Sequence, residues 1–225
     1  MSRAKSFLSK PSNWILDLLY PRACLICHKS LSIHPLIFLC NSCESTISMI
    51  KKPYCHVCGR PFFLSEYEIQ DNIVCGDCQE KRYAFNGARS VFLYEQDKVL
   101  SQLIIALKRS QKLVVYHVFN RILNTFAPKI CPWQKVNMII PIPLHFSRLG
   151  QRGFNQSAFL ASILGRNWGV LVCHDLLIRI RNTPFQTGNR EHRINNVRNA
   201  FLVQNAREIV GKTIVLIDDV FASLK

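Results

Sequence analysis

Two adjacent carboxylates, Asp218 and Asp219, directly follow the apolar run Ile214–Ile217. A short run of this kind is typical of a buried parallel strand, and parallel strands present their ligands at their carboxyl ends. Carboxylates there suit the vicinal hydroxyls of a ribose or a Mg²⁺-bound sugar phosphate, because they accept hydrogen bonds and hard cations prefer oxygen. The alternative is an ordinary strand with acidic residues in its exit loop.

Eight of the ten cysteines form C-x-x-C pairs, namely Cys24/Cys27, Cys40/Cys43, Cys55/Cys58 and Cys75/Cys78. A two-residue gap lets a tight turn aim both sulfurs at one tetrahedral ion. Pairing in chain order would give two zinc sites of four cysteines each, while alternating pairing and iron–sulfur chemistry remain as alternatives. The pattern predicts a double zinc ribbon over residues 20–82 that depends on its metal to fold.

Arginine is concentrated in the second half of the chain, at Arg148, Arg152, Arg166, Arg179, Arg181, Arg190, Arg193 and Arg198. The planar guanidinium group suits bidentate recognition of phosphate. Residues 179–199 are also rich in polar side chains and poor in apolar ones. This composition predicts a mobile loop that closes over a charged ligand, with a solvated basic loop as the alternative.

The elements that must position these residues begin near residue 84. Apolar runs predict strands at 91–94, 138–143, 170–172 and 214–217, and helical spacing recurs over 100–107 and 115–126. Asn155 is expected to cap a further helix that runs to about Leu164. Strands separated by helices predict an α/β domain over residues 84–225, with a doubly wound parallel sheet.

Composition bounds the class of protein. The chain has 225 residues, of which 48% are hydrophobic and 19% are charged, as in globular proteins. Its formal net charge is +15, and residues 91–225 hold 18 Lys/Arg against 7 Asp/Glu. This excess implies an anionic partner, either nucleic acid or a phosphorylated small molecule. We find no export signal or membrane segment, so a cytoplasmic location without membrane insertion is expected.

Together with the ribbon cysteines, ordered motifs give the chain a recognisable signature. They are Pro141-Ile-Pro143 with Arg152-Gly-Phe-Asn-Gln156, Arg179-x-Arg181-x-Thr183-Pro-x-Gln186, Arg193-x-x-Asn196 and Ile217-Asp-Asp-Val220. In these features the chain resembles the ComF family of competence proteins, also called ComFC/GntX-like, over nearly its whole length.

The resemblance implies a type I phosphoribosyltransferase-like domain after the ribbon, binding phosphoribosyl pyrophosphate (PRPP) with Mg²⁺. Asp218 and Asp219 would hold the ribose hydroxyls, and Arg148 and Arg152 would face the pyrophosphate. Residues 179–198, with Arg179, Arg181, Arg190 and Arg193, would form a flexible hood. It also implies a role in DNA uptake and natural transformation, handling single-stranded DNA in the cytosol, with other competence proteins as partners.

The end of the chain departs from the family pattern. A Thr-Thr-Gly-type phosphate loop is expected after the paired acids, but the chain has Phe221-Ala-Ser-Leu-Lys225. We therefore expect a C-terminally truncated domain that lacks its last elements. Four possibilities stay open: a single-stranded-DNA-binding competence protein, a PRPP-dependent phosphoribosyltransferase with an unknown acceptor, an inactive remnant, and a purely structural zinc adaptor. Phe146 and Phe154 could stack on bases, although both are expected to pack inward.

Overall fold

The computed structural model describes most of the chain. The described residues are 23–31, 38–62, 72–80, 83–95, 98–108, 112–131, 133–183 and 195–221. Arg190, Arg193, most of the predicted polar loop and the residues after Phe221 lie outside them.

Two small cysteine-rich units form the N-terminal part. Helix α1 (Asn41–Ser45) belongs to the first unit and α2 (Gly76–Glu80) to the second. Isolated antiparallel bridges accompany them, between Ala23 and Ser30 and between Tyr54 and Pro61. The Sγ of Cys40 caps α1 by accepting from the backbone N–H of Cys43 at 3.4 Å. Elements this short bury few apolar side chains, so the cysteines themselves form much of the local core.

Three longer helices supply the main core. They are α3 (Val99–Lys108), α4 (Lys112–Phe126) and a later helix, α6 (Gln156–Trp168). Each buries the residues that recur at helical spacing, including Leu100, Leu103, Ile104 and Leu107 on α3, and Val115, Val118, Phe119, Ile122 and Leu123 on α4. The sequence prediction of these helices is confirmed.

The start of α6 was also predicted correctly. The Oδ1 of Asn155 accepts a 3.0 Å hydrogen bond from the backbone N–H of Ser157, which satisfies a donor that has no partner within the helix. The helix runs four residues beyond the expected Leu164 and ends at Trp168. Gly169 then adopts a left-handed φ of 65°, which favours glycine at this position.

A parallel sheet follows the zinc-ribbon part, as predicted, and the chain is of the α/β class. Its strands are β1 (Met138–Pro141), β2 (Leu171–Val172) and β5 (Ile214–Ile217), in the order β2-β1-β5. The central strand β1 is buried along its length. The expectation of full burial is wrong for β5, because this strand pairs only with β1 among the described residues and leaves Leu216 57% exposed.

Two further strands and a short helix were not predicted from the sequence. Strands β3 (Leu177–Arg179) and β4 (Phe201–Val203) form an antiparallel pair that flanks the predicted polar loop over residues 179–199, and among the described residues of that loop only Arg179 lies in a strand. Helix α5 (Phe146–Arg152) follows β1 and ends at Gly153, whose φ is 73°. These elements are short and carry polar residues, which explains why hydrophobic periodicity did not reveal them.

The predicted strand at residues 91–94 does not join the sheet. Met49 forms an isolated bridge with Phe92, and hydrogen bonds link Ile50 N to Val91 O at 3.1 Å and Leu93 N to Ser48 O at 2.9 Å. The segment therefore pairs with the chain between the two cysteine-rich units. Its backbone hydrogen bonds are made with that part of the chain instead of with a strand of the parallel sheet.

Among the described residues, we find no helix that combines the length and the apolar character needed to cross a membrane.

Candidate functional site

The first cysteine cluster is built from Cys24, Cys27, Cys40 and Cys43, whose sulfurs all lie within 4.8 Å of one another. The Sγ atoms of Cys27 and Cys40 are 3.6 Å apart. Burial acts to raise the pKa of Cys24, but hydrogen bonds from backbone amides outweigh it and lower the pKa to about 6. Four sulfurs converge at this point, and the lowered pKa of Cys24 favours its thiolate form. This is the donor set of a tetrahedral zinc site.

The second cluster repeats this arrangement with Cys55, Cys58, Cys75 and Cys78. All four residues are buried, and the Sγ atoms of Cys58 and Cys75 are 3.8 Å apart. Backbone amides again outweigh burial at the first cysteine and lower the pKa of Cys55 to about 6. The pairs thus combine in chain order, the simpler of the two arrangements considered, and both clusters fit zinc.

The two clusters differ in what surrounds them. Cys24 and Cys43 belong to the same apolar core as α3, α4 and α6, and Glu44 on α1 forms an ion pair with Arg121 on α4. The second cluster forms a core of its own, with Val57, Phe62, Val74 and Tyr83 packed against it. The first unit is consequently continuous with the α/β domain, whereas the second has a separate core.

The paired acids lie at the carboxyl end of β5, and different elements hold each of them. Ser157, in the first turn of α6, donates from Oγ to Oδ1 of Asp218 at 2.9 Å. The same Oδ1 accepts from the backbone N–H of Asp219 at 2.9 Å. Lys108, the last residue of α3, places its Nζ 3.1 Å from Oδ2 of Asp219. The couple is therefore fixed by α3 and α6 together.

The surroundings make Asp218 harder to ionise. Burial and the negative charge of Asp219 raise the pKa of Asp218 above its ordinary value, and the hydrogen bond from Ser157 opposes this rise. Desolvation and a like charge both disfavour the carboxylate form. Two carboxylates side by side at a strand end can accept hydrogen bonds from sugar hydroxyls or bind a hard cation.

Two arginines from separate elements approach this edge of the sheet. Arg148 on α5 donates to the carbonyl oxygen of Thr183, and Arg179 on β3 donates to Thr183 Oγ1. Burial and the charge of Arg148 lower the pKa of Arg179, while the charge of Asp218 opposes the shift. The Nε atom of Arg179 is buried and has no hydrogen-bond partner among the described residues. Two close guanidinium groups with one nearby carboxylate favour an added anion.

The other predicted arginines make different contacts. Arg152 donates from a terminal nitrogen to Oε1 of Gln156 at 3.3 Å. Arg181 donates to the carbonyl oxygens of Asn196, at 3.0 Å, and Arg198. Arg181 thus ties the two ends of the hood segment together, and its guanidinium group is engaged with backbone.

Helix α5 leaves an aromatic ring open to solvent. Phe146 is 77% exposed, so the expectation that it packs inward is wrong. Its ring centroid lies 4.1 Å from that of His145, whose Nδ1 pairs with Ser147 Oγ at 2.8 Å. Phe154, by contrast, packs against the main core, as expected. None of the seven residues of this helix is buried, whereas His145, which directly precedes it, is buried.

Lys108 and Ser157 belong to the site but were not singled out in the sequence, and Thr183 was named only as part of a motif. Lys108 ends a predicted helix, Ser157 follows a predicted cap, and Thr183 follows the motif residues Arg179 and Arg181. Each reaches the site through tertiary packing. Only a topology that places the start of α6 beside the end of β5 could have identified Ser157.

The fold and the two clusters define a class of protein: a double zinc ribbon joined to a parallel α/β domain. A family model described as the double zinc ribbon domain matches residues 15–79. This match covers the part in which both sulfur clusters lie. No solved structure matches the chain.

Curated relatives match most of the chain. It is 26% identical over 216 residues to "Competence protein ComFC" of Bacillus subtilis, covering 89% of this chain and 83% of the relative. It is 27% identical over 190 residues to "Competence protein F" of Haemophilus influenzae, covering 82% and 79%. It is 29% identical over 210 residues to "DNA utilization protein YhgH" of Escherichia coli K12, covering 90% and 86%. These matches, together with the double zinc ribbon, support the resemblance to the ComF family.

Proposed function

We propose that this chain acts in DNA uptake and natural transformation by binding single-stranded DNA in the cytosol. The names of its relatives, competence proteins and a DNA utilization protein, support the process. The observation that supports binding of single-stranded DNA is the 77% exposure of Phe146 on α5, the helix that also bears Arg148 and Arg152. This helix forms a surface where a base and its phosphates can be bound at once.

The chemistry suits an unpaired strand. An exposed aromatic ring stacks on any base, and each such contact is worth about 1–3 kcal/mol. The guanidinium groups of Arg148 and Arg179 lie nearby to neutralise phosphate charge, and neither contact depends on base identity. A duplex buries the faces of its bases, so the exposed Phe146 favours single strands.

The carboxylate couple shapes where the strand lies. Asp218 and Asp219 would repel phosphate, so the backbone of the strand is expected to pass over the arginines and away from the acids. The replacements Asp218→Asn and Asp219→Asn should therefore leave DNA affinity unchanged or slightly raised. A marked loss of affinity would contradict this path.

The test is fluorescence anisotropy with a labelled single-stranded oligonucleotide at several salt concentrations. Phe146→Ala should weaken binding by about tenfold, in line with the loss of one stacking contact. Phe85→Ala is the matched control, because Phe85 is also exposed, at 38%, but lies beside the second ribbon. Affinity should fall steeply with salt for every variant. Equal affinity of the wild type and Phe146→Ala would refute the stacking surface.

A second candidate function is transfer of the phosphoribosyl group from PRPP. It is favoured by one observation: the acid couple lies at the carboxyl end of a parallel strand, where Arg179 interacts electrostatically with Asp218. An acceptor would attack the anomeric carbon as the bond to pyrophosphate breaks, and the arginines would stabilise the leaving group. Bound Mg²⁺ would supply further charge neutralisation.

Calorimetry separates the two candidates. PRPP binding at the acid couple should require Mg²⁺ and should be lost in Asp218→Asn and Asp219→Asn, whereas single-stranded DNA binding should need neither the ion nor the acids. Heat of PRPP binding that survives both replacements would exclude the acid couple as its site.

A further inference from the structure

We infer that Lys108 is a positioning residue that serves as the internal counter-ion of the carboxylate couple and thereby keeps this edge of the sheet receptive to phosphate. The inference rests on the function proposed above. It starts from a single contact, the 3.1 Å approach of Lys108 Nζ to Asp219 Oδ2.

The position of Lys108 is set by the packing of α3. Leu100, Leu103 and Leu107 on the inner face of this helix are 7%, 0% and 1% exposed, so the helix cannot rotate without opening the main core. Lys108 is its final residue. A cation there is also favoured by the negative end of the helix dipole. The backbone of Lys108 is consequently fixed beside the strand end, within reach of Asp219.

The partner of Lys108 is the more buried member of the pair. The Asp219 side chain is 17% exposed, against 37% for Lys108. Two adjacent carboxylates repel each other, and a cation close to one of them reduces this repulsion. Asp218 accepts a hydrogen bond from the hydroxyl group of Ser157, whereas among the described residues Lys108 is the cation paired with Asp219.

The balance of charge explains why phosphate could approach. Arg179 interacts electrostatically with both Arg148 and Asp218. Two unneutralised carboxylates would therefore weaken the attraction of these arginines for a phosphate group. Lys108 neutralises one of the two acids and leaves the arginines in excess. In this account Lys108 acts through Asp219 and does not contact the DNA.

A double-mutant cycle tests this route. Lys108→Met should weaken single-stranded DNA binding by about fivefold at low salt, because it exposes the charge of Asp219. In the Asp219→Asn background, the same change should cost less than about twofold. Lys135→Met is the control for net charge, because Lys135 is exposed and precedes β1 at the opposite edge of the sheet. If Lys108→Met weakened DNA binding by the same factor in the wild type and in Asp219→Asn, Lys108 would act on the DNA independently of Asp219. That result would overturn the inference.

A carboxyl titration by ¹³C NMR tests the same inference without DNA. The groups around the couple are Lys108 from α3, Ser157 from α6 and Arg179 from β3, with Arg148 from α5 beside Arg179. Lys108→Met should raise the titration midpoint of Asp218 further, because the charge of Asp219 would no longer be neutralised, and Lys108→Arg should reverse this. An unchanged midpoint would overturn the inference even if DNA binds. An altered midpoint in a protein that binds no DNA would instead refute the proposed function alone.

Discussion

The Oγ of Ser157 donates a 2.9 Å hydrogen bond to Oδ1 of Asp218, which links the first turn of α6 to the end of β5. The same turn is capped by Asn155, whose Nδ2 donates to the carbonyl oxygen of Ile142 at 2.9 Å. One helix start therefore connects the ends of β1 and β5. This connection makes the carboxyl edge of the sheet a structured site.

Ser157→Ala should destabilise the protein in a pH-dependent way. The pKa of Asp218 lies above its ordinary value of 3.8, so the folded chain holds this proton more tightly than the unfolded chain. Ionisation of Asp218 therefore costs stability as the pH rises through its pKa, and Ser157 offsets part of that cost. The replacement should lower the free energy of unfolding by about 1 kcal/mol at pH 7 and by less at about pH 3.

Urea denaturation at both pH values measures this difference. Ser162→Ala is the control, because Ser162 Oγ donates at 2.8 Å to the carbonyl oxygen of Ala158 on the same helix instead of to an acid. Its effect should not vary with pH. An equal loss at both pH values in Ser157→Ala would show that the hydroxyl has no role in the ionisation of Asp218.

The two zinc sites should differ in their importance for stability. Cys43→Ser and Cys78→Ser each remove one buried ligand, at 9% and 8% exposure. Cys43 lies in the core shared with α3 and α4, whereas Cys78 lies in the separate second core. We expect Cys43→Ser to reduce the free energy of unfolding by about 2 kcal/mol more than Cys78→Ser.

Denaturation followed by helical circular dichroism, together with metal analysis, provides the measurement. Each variant should lose one zinc ion per chain, and only Cys43→Ser should lower the helical transition markedly. Equal transitions with equal zinc loss would mean that the shared core does not depend on the first site.

Arg179 and Arg181 are near neighbours with different expected roles. The guanidinium carbon of Arg179 lies 5.3 Å from the centroid of the Phe201 ring, and the Arg179 charge interacts with that of Asp218. Arg181 instead donates hydrogen bonds to backbone carbonyl oxygens. Arg179→Met should weaken single-stranded DNA binding by about fivefold, and Arg181→Met by less than about twofold. Anisotropy and thermal melts on both variants test this. The reverse order of affinities would contradict the placement of the phosphate near Arg179.

Two helical glycines give a matched test of packing. A Cβ on Gly165 would meet the side chain of Val172 and the carbonyl oxygen of Val170, the latter at 2.9 Å. A Cβ on Gly150 would meet nothing within 4 Å. Gly165→Ala should therefore destabilise the protein by about 1–3 kcal/mol, and Gly150→Ala should stabilise it by about 0.5 kcal/mol. Similar melting temperatures for the two variants would contradict the close packing of α6 on β2.

The parts of the fold that could be predicted are those with strong local signals. Apolar side chains at helical spacing define α3 and α4, and an apolar run ending in Pro141 defines β1. The cysteine spacing predicts the sulfur clusters, because a C-x-x-C turn constrains both ligands locally.

The remainder depends on contacts between distant segments. Strands β3 and β4 have three residues each, too few to display a period. The segment at residues 91–94 has a strand-like composition, but pairs with residues 48–50 instead. The role of Lys108 follows only from the placement of the end of α3 beside the end of β5, which no spacing in the sequence encodes.

Photo-crosslinking most directly tests the central claim, that a single strand binds along α5 at the carboxyl edge of the sheet. A single-stranded oligonucleotide containing bromodeoxyuridine would be irradiated with the full-length protein, and the attached peptides identified by mass spectrometry. We expect attachment at Phe146 or its helix, with loss of that adduct in Phe146→Ala. Adducts confined to the zinc ribbons, with none on residues 145–152, would contradict it.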